Sequence, residues 1–320
     1  MARPKIALYW CSGCGGCEES VLDLGPELVE WTERLEIVFW PVVLDAKRAD
    51  LDLLADGELA AALVNGAVRT ESDRDMLALL RRKARVLIAH GACAQFGGVV
   101  GLGNRHTAEA LLARSFAGAD TTDGAGAGPA EASAAALLLP RSGPLAEWAA
   151  VDWSIPGCPP TAALVAECLE AVWASDDRPA GTVFGAEQAL CRECPRAETL
   201  PDAAVLRRFR RPQDVWWDAR RCFLAQELVC LGPATRGGCG ARCIGGNAPC
   251  RGCFGPLPST ADHGARSAAF LATLLAPDAA PEAATLADPL GLLYRYTLAV
   301  SLLPGCGRSP EGRREDDHGA

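Results

Sequence analysis

Residues 5–20, KIALYWCSGCGGCEES, decide how the rest of the chain reads. Lys5–Trp10 is a clean apolar strand, and a glycine-rich turn leads from it into a helical pattern. Strand, glycine turn and helix usually open a nucleotide-binding domain, in which the turn offers backbone N–H groups to phosphate. Here the turn offers thiols instead: Cys11, Cys14 and Cys17 fall within seven residues.

Outward from that turn, apolar segments at 5–10, 35–44, 62–68, 85–92 and 149–155 predict strands, and 18–31, 50–61 and 71–84 predict helices. The basic residues Arg81, Arg82 and Lys83 suit the negative end of the last of these helices. Alternating strands and helices predict an α/β domain over residues 1–181, a doubly wound parallel sheet of the flavodoxin-like kind. Such sheets bind ligands beyond the carboxyl ends of their strands. Cys14 and Cys17 follow the first predicted strand, Cys93 in HGACAQFGG follows the fourth, and Cys158 in IPGCPPT follows the fifth. Three loops are thus expected to bring thiolates to one crevice, which suits an iron–sulfur cluster or a structural zinc. Zinc ligands usually come from one or two compact knuckles, so the spread over three strand ends favours a bulkier cofactor. The flanking glycines would allow its close approach.

The chain has 320 residues, 49% of them hydrophobic and 22% charged, with a net charge of −9. Its length suggests about two domains, and its acidity argues against nucleic acid as a partner. No apolar run reaches the roughly 18 residues of a membrane span. MARPKIALYW resembles neither a secretory nor a twin-arginine leader, so a cytoplasmic location is expected. In a reducing compartment, fifteen cysteines imply metal ligation before disulfides.

From Thr182 the strand pattern gives out, and Cys, Arg, Pro and Gly dominate as far as Pro258. Residues 182–260 are expected to form an irregular domain shaped by metal centres. Residues 261–306 return to helical patterns as a C-terminal segment. The low-complexity stretch 117–136 reads as a mobile insertion, and 307–320 as a disordered tail. Eight cysteines lie in this second region: Cys191, Cys194, Cys222, Cys230, Cys239, Cys243, Cys250 and Cys253. They make two complements of four, and CREC (191–194) and CRGC (250–253) each offer two sulfurs across a tight turn. A zinc ribbon is the alternative for 239–253.

CGGCE at 14–18, GACAQFGG at 91–98 and GCPP at 157–160 resemble the proximal-cluster signature of nickel–iron hydrogenase small subunits. The related 20-kDa subunit of complex I shares that fold. CLGPATRGGCGARCIGGNAPCRGCFGP at 230–256 resembles the C-terminal part of cytoplasmic, multimeric (group 3) members. MARPKIALYWCSGCGGCEESVLDL looks closest to their methyl-viologen-reducing, deazaflavin-nonreducing branch. The resemblance implies three [4Fe–4S] clusters: a proximal one on Cys14, Cys17, Cys93 and Cys158, a distal one on Cys191, Cys194, Cys222 and Cys230, and a medial one on Cys239, Cys243, Cys250 and Cys253. Periplasmic relatives have histidine where Cys191 stands and a proline in place of one medial thiol, which Cys243 would supply here. An all-cysteine chain of lower potential is the expectation.

The same resemblance makes Glu18 a candidate proton-relay carboxylate, with a helix-N-terminal acid stabilised by the dipole as its plainer reading. Its function would be electron transfer from the nickel–iron site of a separate large subunit, since no C-x-x-C pair is left here for that metal. Onward partners would be a [2Fe–2S] adaptor and a heterodisulfide-reductase-like or other flavoprotein complex. The rivals are a complex-I-like quinone-side subunit and a zinc-stabilised, non-redox adaptor. Cys11 lies outside the ligand pattern, Cys168 in ALVAECLEAVW reads as a core thiol, and Cys306 is unassigned. His90 reads as a structural residue beside the site. Trp216 and Trp217 would shield the distal region or face a partner, and Arg207, Arg208, Arg210 and Arg211 read as a docking or solvated basic face.

Overall fold

A computed structural model describes residues 3–116, 138–200, 206–279 and 286–307; the stretch 117–136 and the tail from 308 lie outside them. The chain divides into two compact units, one running to Phe184 and resuming at Leu298, the other spanning Gly185–Thr297.

The first unit carries strands β1 (Lys5–Trp10), β2 (Glu36–Phe39), β3 (Leu59–Asn65), β4 (Val68–Thr70), β5 (Ala84–His90), β6 (Leu138–Gly143), β7 (Trp153–Ile155) and β8 (Thr182–Val183). Six of them form one parallel sheet in the order β2-β1-β3-β5-β7-β8. That is the flavodoxin-like order, with its switch point between β1 and β3. β4 and β6 pair antiparallel as a separate ribbon.

Every residue of β3 is buried, as expected of a central parallel strand. This explains one departure from the sequence reading. The helix expected over 50–61 shrinks to Arg48–Asp52, and the strand expected at 62–68 starts instead at Leu59. Ala60, Ala61 and Ala62 favour helix intrinsically, but burial in mid-sheet overrides that weak preference. The helix expected at 18–31 is likewise two, Gly16–Leu22 and Glu27–Arg34, broken where Gly25 adopts φ 58° ahead of Pro26. Helix Glu71–Lys83 keeps its expected span. Thr70 and Asp73 close a reciprocal cap at its start, with bonds of 3.1 and 2.9 Å.

The second unit is built mostly from turns. Its α-helices are Arg242–Gly245, His263–Thr273 and Pro289–Leu293, with short 3₁₀ turns between them. Isolated bridges tie Ala189 to Arg236 and Thr235 to Pro256. A small core of Phe223, Leu224, Leu228, Ile244, Phe254 and Leu271 sits within it. Among the described residues, no helix is long and apolar enough to cross a membrane.

Candidate metal centres

Trp10, Asn65, His90 and Ile155 stand side by side on β1, β3, β5 and β7, one register row at the carboxyl edge of the sheet. The residues just beyond that row make the first site. Cys17 lies in the first turn of helix Gly16–Leu22, entered through Gly15 at φ 85°. Cys93 lies in helix Ala92–Phe96, and Cys158 follows Gly157. The loops are stitched together by backbone bonds from Gly91 N–H to the Ile155 carbonyl (2.8 Å) and from Ala92 N–H to the Gly157 carbonyl (2.7 Å).

The four expected thiols come together there. Burial pushes Cys17 far above the ordinary thiol range, and its neighbours Cys93, Cys158 and Cys14 push it further. Cys93 is raised by burial as well, opposed by the N–H groups of Val99 and Val100, with Cys14 close by. Two glycines leave the space these sulfurs use. A Cβ on Gly91 would lie 2.4 Å from Cys17 Sγ, and one on Gly98 would lie 2.3 Å from Cys93 Sγ. Cys14 and Cys158 are the exposed members, so the site opens at the surface of this unit.

Glu18, beside Cys17, is only 4% exposed. One carboxylate oxygen accepts from Trp40 Nε1 and the other from Asn65 Nδ2. Burial raises this carboxyl, and the two N–H donors oppose it. His90 is buried and kept neutral, its basicity lowered to about 4 by desolvation. Ser20 gives its hydroxyl proton to the Cys17 carbonyl (2.7 Å), so His90 Nε2 carries the hydrogen that reaches Ser20 Oγ at 3.0 Å. Cys11 is buried away from the quartet, next to Asp73 and Tyr9, and Cys168 is fully buried in helix Ala162–Trp173. The carbonyl of Cys306 accepts from Asn104 at 3.3 Å.

In the second unit, Cys191, Cys194, Cys222 and Cys230 line one small apolar cavity. Burial and then the other three sulfurs push Cys191 up to about 12, while Cys230 is raised to about 11, chiefly by burial. Backbone N–H groups point at these sulfurs: Leu224 and Ala225 at Cys222, Gly232 and Cys250 at Cys230, Arg196 at Cys194. The remaining four form close pairs, Cys239 with Cys243 and Cys250 with Cys253. Cys250 N–H also donates to Cys230 Sγ at 3.3 Å, so Cys230 adjoins both sets. A second neutral histidine sits here. His263, its basicity also lowered to about 4 by burial, meets Thr235 Oγ1 at 3.2 Å.

Trp216 is fully exposed, whereas Trp217 Nε1 donates to Asn247 Oδ1 at 3.0 Å. Arg208 and Arg210 pair with Glu227 and Arg207 pairs with Asp278, so much of the arginine cluster is internally compensated. Two residues that sequence patterns do not single out also touch these sets. Glu193 accepts from Gly238 N–H at 3.0 Å and lies 3.7 Å from Cys239 Sγ, and Arg196 is buried beside the second set.

Among the described residues, no three or more His, Cys, Asp or Glu side chains meet tightly enough to hold a single metal ion. The donor sets nonetheless fit an iron–sulfur cluster: thiols only, several of them desolvated, fed by backbone N–H donors and, at the first site, cradled by glycines no side chain could replace. Buried thiols this hard to ionise have no ordinary role as acids or nucleophiles, whereas a cationic core would take them as thiolates and release their protons.

A family described as the NADH ubiquinone oxidoreductase 20 kDa subunit matches residues 14–172. The iron–sulfur subunit of the F420-non-reducing hydrogenase of Archaeoglobus profundus is 34% identical over 312 residues, 93% of this chain and 97% of that protein. A vhu subunit of the F420-non-reducing hydrogenase of Methanocaldococcus jannaschii is 35% identical, covering 93% of this chain and 96% of its own. A [NiFeSe]-hydrogenase structure from Dm. baculatum superposes with a TM-score of 0.55 at 18% identity, over 81% of this chain and 97% of that one, and so shares the fold.

Proposed function

The chain belongs to the family of F420-non-reducing hydrogenase iron–sulfur subunits and is thus part of an oxidoreductase, and on that premise we propose that it is the electron relay of its complex. Cys14, Cys17, Cys93 and Cys158 would hold a proximal [4Fe–4S] cluster, Cys239, Cys243, Cys250 and Cys253 a medial one, and Cys191, Cys194, Cys222 and Cys230 a distal one. When bound, such clusters accept and give up single electrons. The observation that carries the reading is the meeting of four thiols from three strand ends at the sheet's switch-point edge, Cys17 and Cys93 desolvated and Cys14 and Cys158 exposed.

The chain's own residues then have definite tasks. Val99 and Val100 N–H groups favour the thiolate of Cys93, and Gly91 and Gly98 keep side chains out of the space of the Cys17 and Cys93 sulfurs. The surface bearing Cys14 and Cys158 would face a large subunit that carries the nickel–iron site. Glu18 would hold a proton at the rim, positioned by Trp40 and Asn65. The eight cysteines between residues 191 and 253, outside the span matched to the complex I subunit, favour a hydrogenase relay over a quinone-side subunit with one cluster. A [2Fe–2S] adaptor or flavoprotein in the cytoplasm would take the electrons onward.

Anaerobic co-purification with the large subunit tests this. About twelve iron atoms and matching acid-labile sulfide per chain are expected, four per thiolate quartet. A colourless protein carrying zinc would overturn the reading. Glu18→Gln should lower hydrogen-dependent dye reduction with iron content unchanged, and full activity in that variant would remove Glu18 from the relay.

A further inference from the structure

Arg196 is a buried cation with unfinished bonding. It is 6% exposed and follows Cys194 by two residues. Its Nη2 donates to the Ile244 carbonyl at 3.1 Å and to Asn247 Oδ1 at 2.8 Å. Its Cζ lies 4.3 Å from the centre of the Phe223 ring. Two acceptors and an aromatic face thus fix the plane of the guanidinium. Asn247 is itself set for this task, held at φ 62° with its oxygen shared between Arg196 and Trp217. Nη1, by contrast, is buried with no partner. Arg196 lines the same cavity as Cys191, Cys194, Cys222 and Cys230. A buried donor without an acceptor costs about 1–3 kcal/mol, more when charged, so the position calls for an acceptor inside that cavity.

We propose that Arg196 directs Nη1 at a sulfur of the cluster held by Cys191, Cys194, Cys222 and Cys230, and thereby raises that cluster's reduction potential. The proposal rests on reading this quartet as an iron–sulfur site. One-electron reduction adds one negative charge to a cluster and takes no proton. A fixed cation that donates a hydrogen bond stabilises the reduced form more than the oxidised one, and an apolar, water-poor cavity strengthens the effect. Among the protein sulfurs the same charge already acts on Cys222, favouring its thiolate. The exposed neighbour Arg192 faces solvent and should contribute little. Arg196 is in this sense a positioning and tuning residue, and the cluster it serves should be easier to reduce than its thiolate set alone would make it.

The test is an EPR-monitored redox titration of the anaerobic holocomplex, the signal of this cluster being the one lost in Cys222→Ser. Arg196→Gln should make reduction about tenfold less favourable, a fall of about 59 mV for a one-electron couple, with the other potentials unmoved. Arg196→Lys should restore most of the shift, and Arg192→Gln should give none. An unmoved potential in Arg196→Gln overturns the proposal, as does an equal shift in Arg192→Gln. Should Arg196→Gln fail to assemble the cluster, Asn247→Ala keeps the charge but frees the guanidinium plane. A smaller fall of the same potential is then expected, and no fall overturns the proposal. Absence of iron from the unmodified chain would instead defeat the functional reading, so the two failures are distinguishable.

Discussion

The two units hold their cysteines for opposite reasons. In the sheet unit, a register row across four parallel strands fixes where the loops emerge, and the thiols of Cys14, Cys17, Cys93 and Cys158 meet because the sheet has already placed them. Beneath them lies a core that owes nothing to sulfur ligands, with Leu63, Leu77, Leu80, Leu87 and Leu145 fully buried. In the cysteine-rich unit the order is reversed. Its backbone runs through short 3₁₀ turns and left-handed residues, among them Glu227, Ala241 and Asn247, and three of its thiols, Cys222, Cys230 and Cys250, are buried with its small apolar core. The fold makes the first site; in the second unit, on the proposed function, the sites would make the fold.

The sharpest break of that contrast is iron removal. Anaerobic chelation should leave amide protection in β1, β3 and β5 nearly native while residues 185–297 lose theirs almost entirely, read by hydrogen exchange with segment resolution. Equal protection in both halves after iron is gone would show that the second unit has a self-sufficient core, and the contrast would fall.

Next in size is a defect confined to one site. Gly91→Ala puts a methyl 2.4 Å from Cys17 Sγ on a backbone at φ 91°. It should cost the first cluster, about four of about twelve iron atoms, and leave the sheet folded. Gly240→Ala is the companion: φ is 64° but nothing lies within 4 Å. It should cost about 1 kcal/mol of local stability and no iron. Full iron in Gly91→Ala would mean that its loop yields and that the sheet does not fix the site.

Acid should act on both units through their buried histidines. His90 and His263 titrate near 6.5 when unfolded and at about 4 when folded. Above pH 6.5 both forms are neutral and stability is complete. Between 6.5 and about 4 the unfolded chain takes up a proton that the folded chain refuses, so stability falls with pH, by on the order of 3 kcal/mol per histidine. His90→Gln should flatten the acid slope of β3 and β5 protection and leave that of residues 206–279 unchanged. An unaltered slope in β5 would assign the acid sensitivity elsewhere.

How much of this is legible in the chain follows the same divide. The strand periodicity around Lys5–Trp10 and Arg85–Ala89 points to a parallel sheet, and strand-end logic puts Cys93 and Cys158 in loops that do converge. Ala60–Ala62 read as helix because alanine carries no mark of being buried on both faces, and β4, β6 and β8 are too short or too polar to show periodicity. In the second unit the C-x-x-C spacings announce ligation, but nothing in sequence pairs Cys230 with Cys250, or makes Arg196 buried and Glu193 a neighbour of Cys239. Those relations are set by turns, which leave no repeat to read.

The smallest expected effect tests the contrast through the thiols left over. The chain has fifteen cysteines, of which seven lie in the sheet unit and eight in the other. Four of the seven form the rim quartet, leaving Cys11, Cys168 and Cys306, whereas each of the eight stands beside another sulfur. A unit with its own core has room for thiols that merely fill space; a unit organised by metal, as proposed for the second, would have none to spare. Cys168→Ala and Cys11→Ala should therefore each keep every iron atom and lose only about 1 kcal/mol of sheet stability, measured by denaturant unfolding of the holoprotein. Cys222→Ala, at another buried thiol and equally small a change, should cost a cluster. If Cys11→Ala also sheds iron, the rim holds its cofactor with a fifth thiol in reserve, and the sheet unit would depend on sulfur in the way its neighbour does.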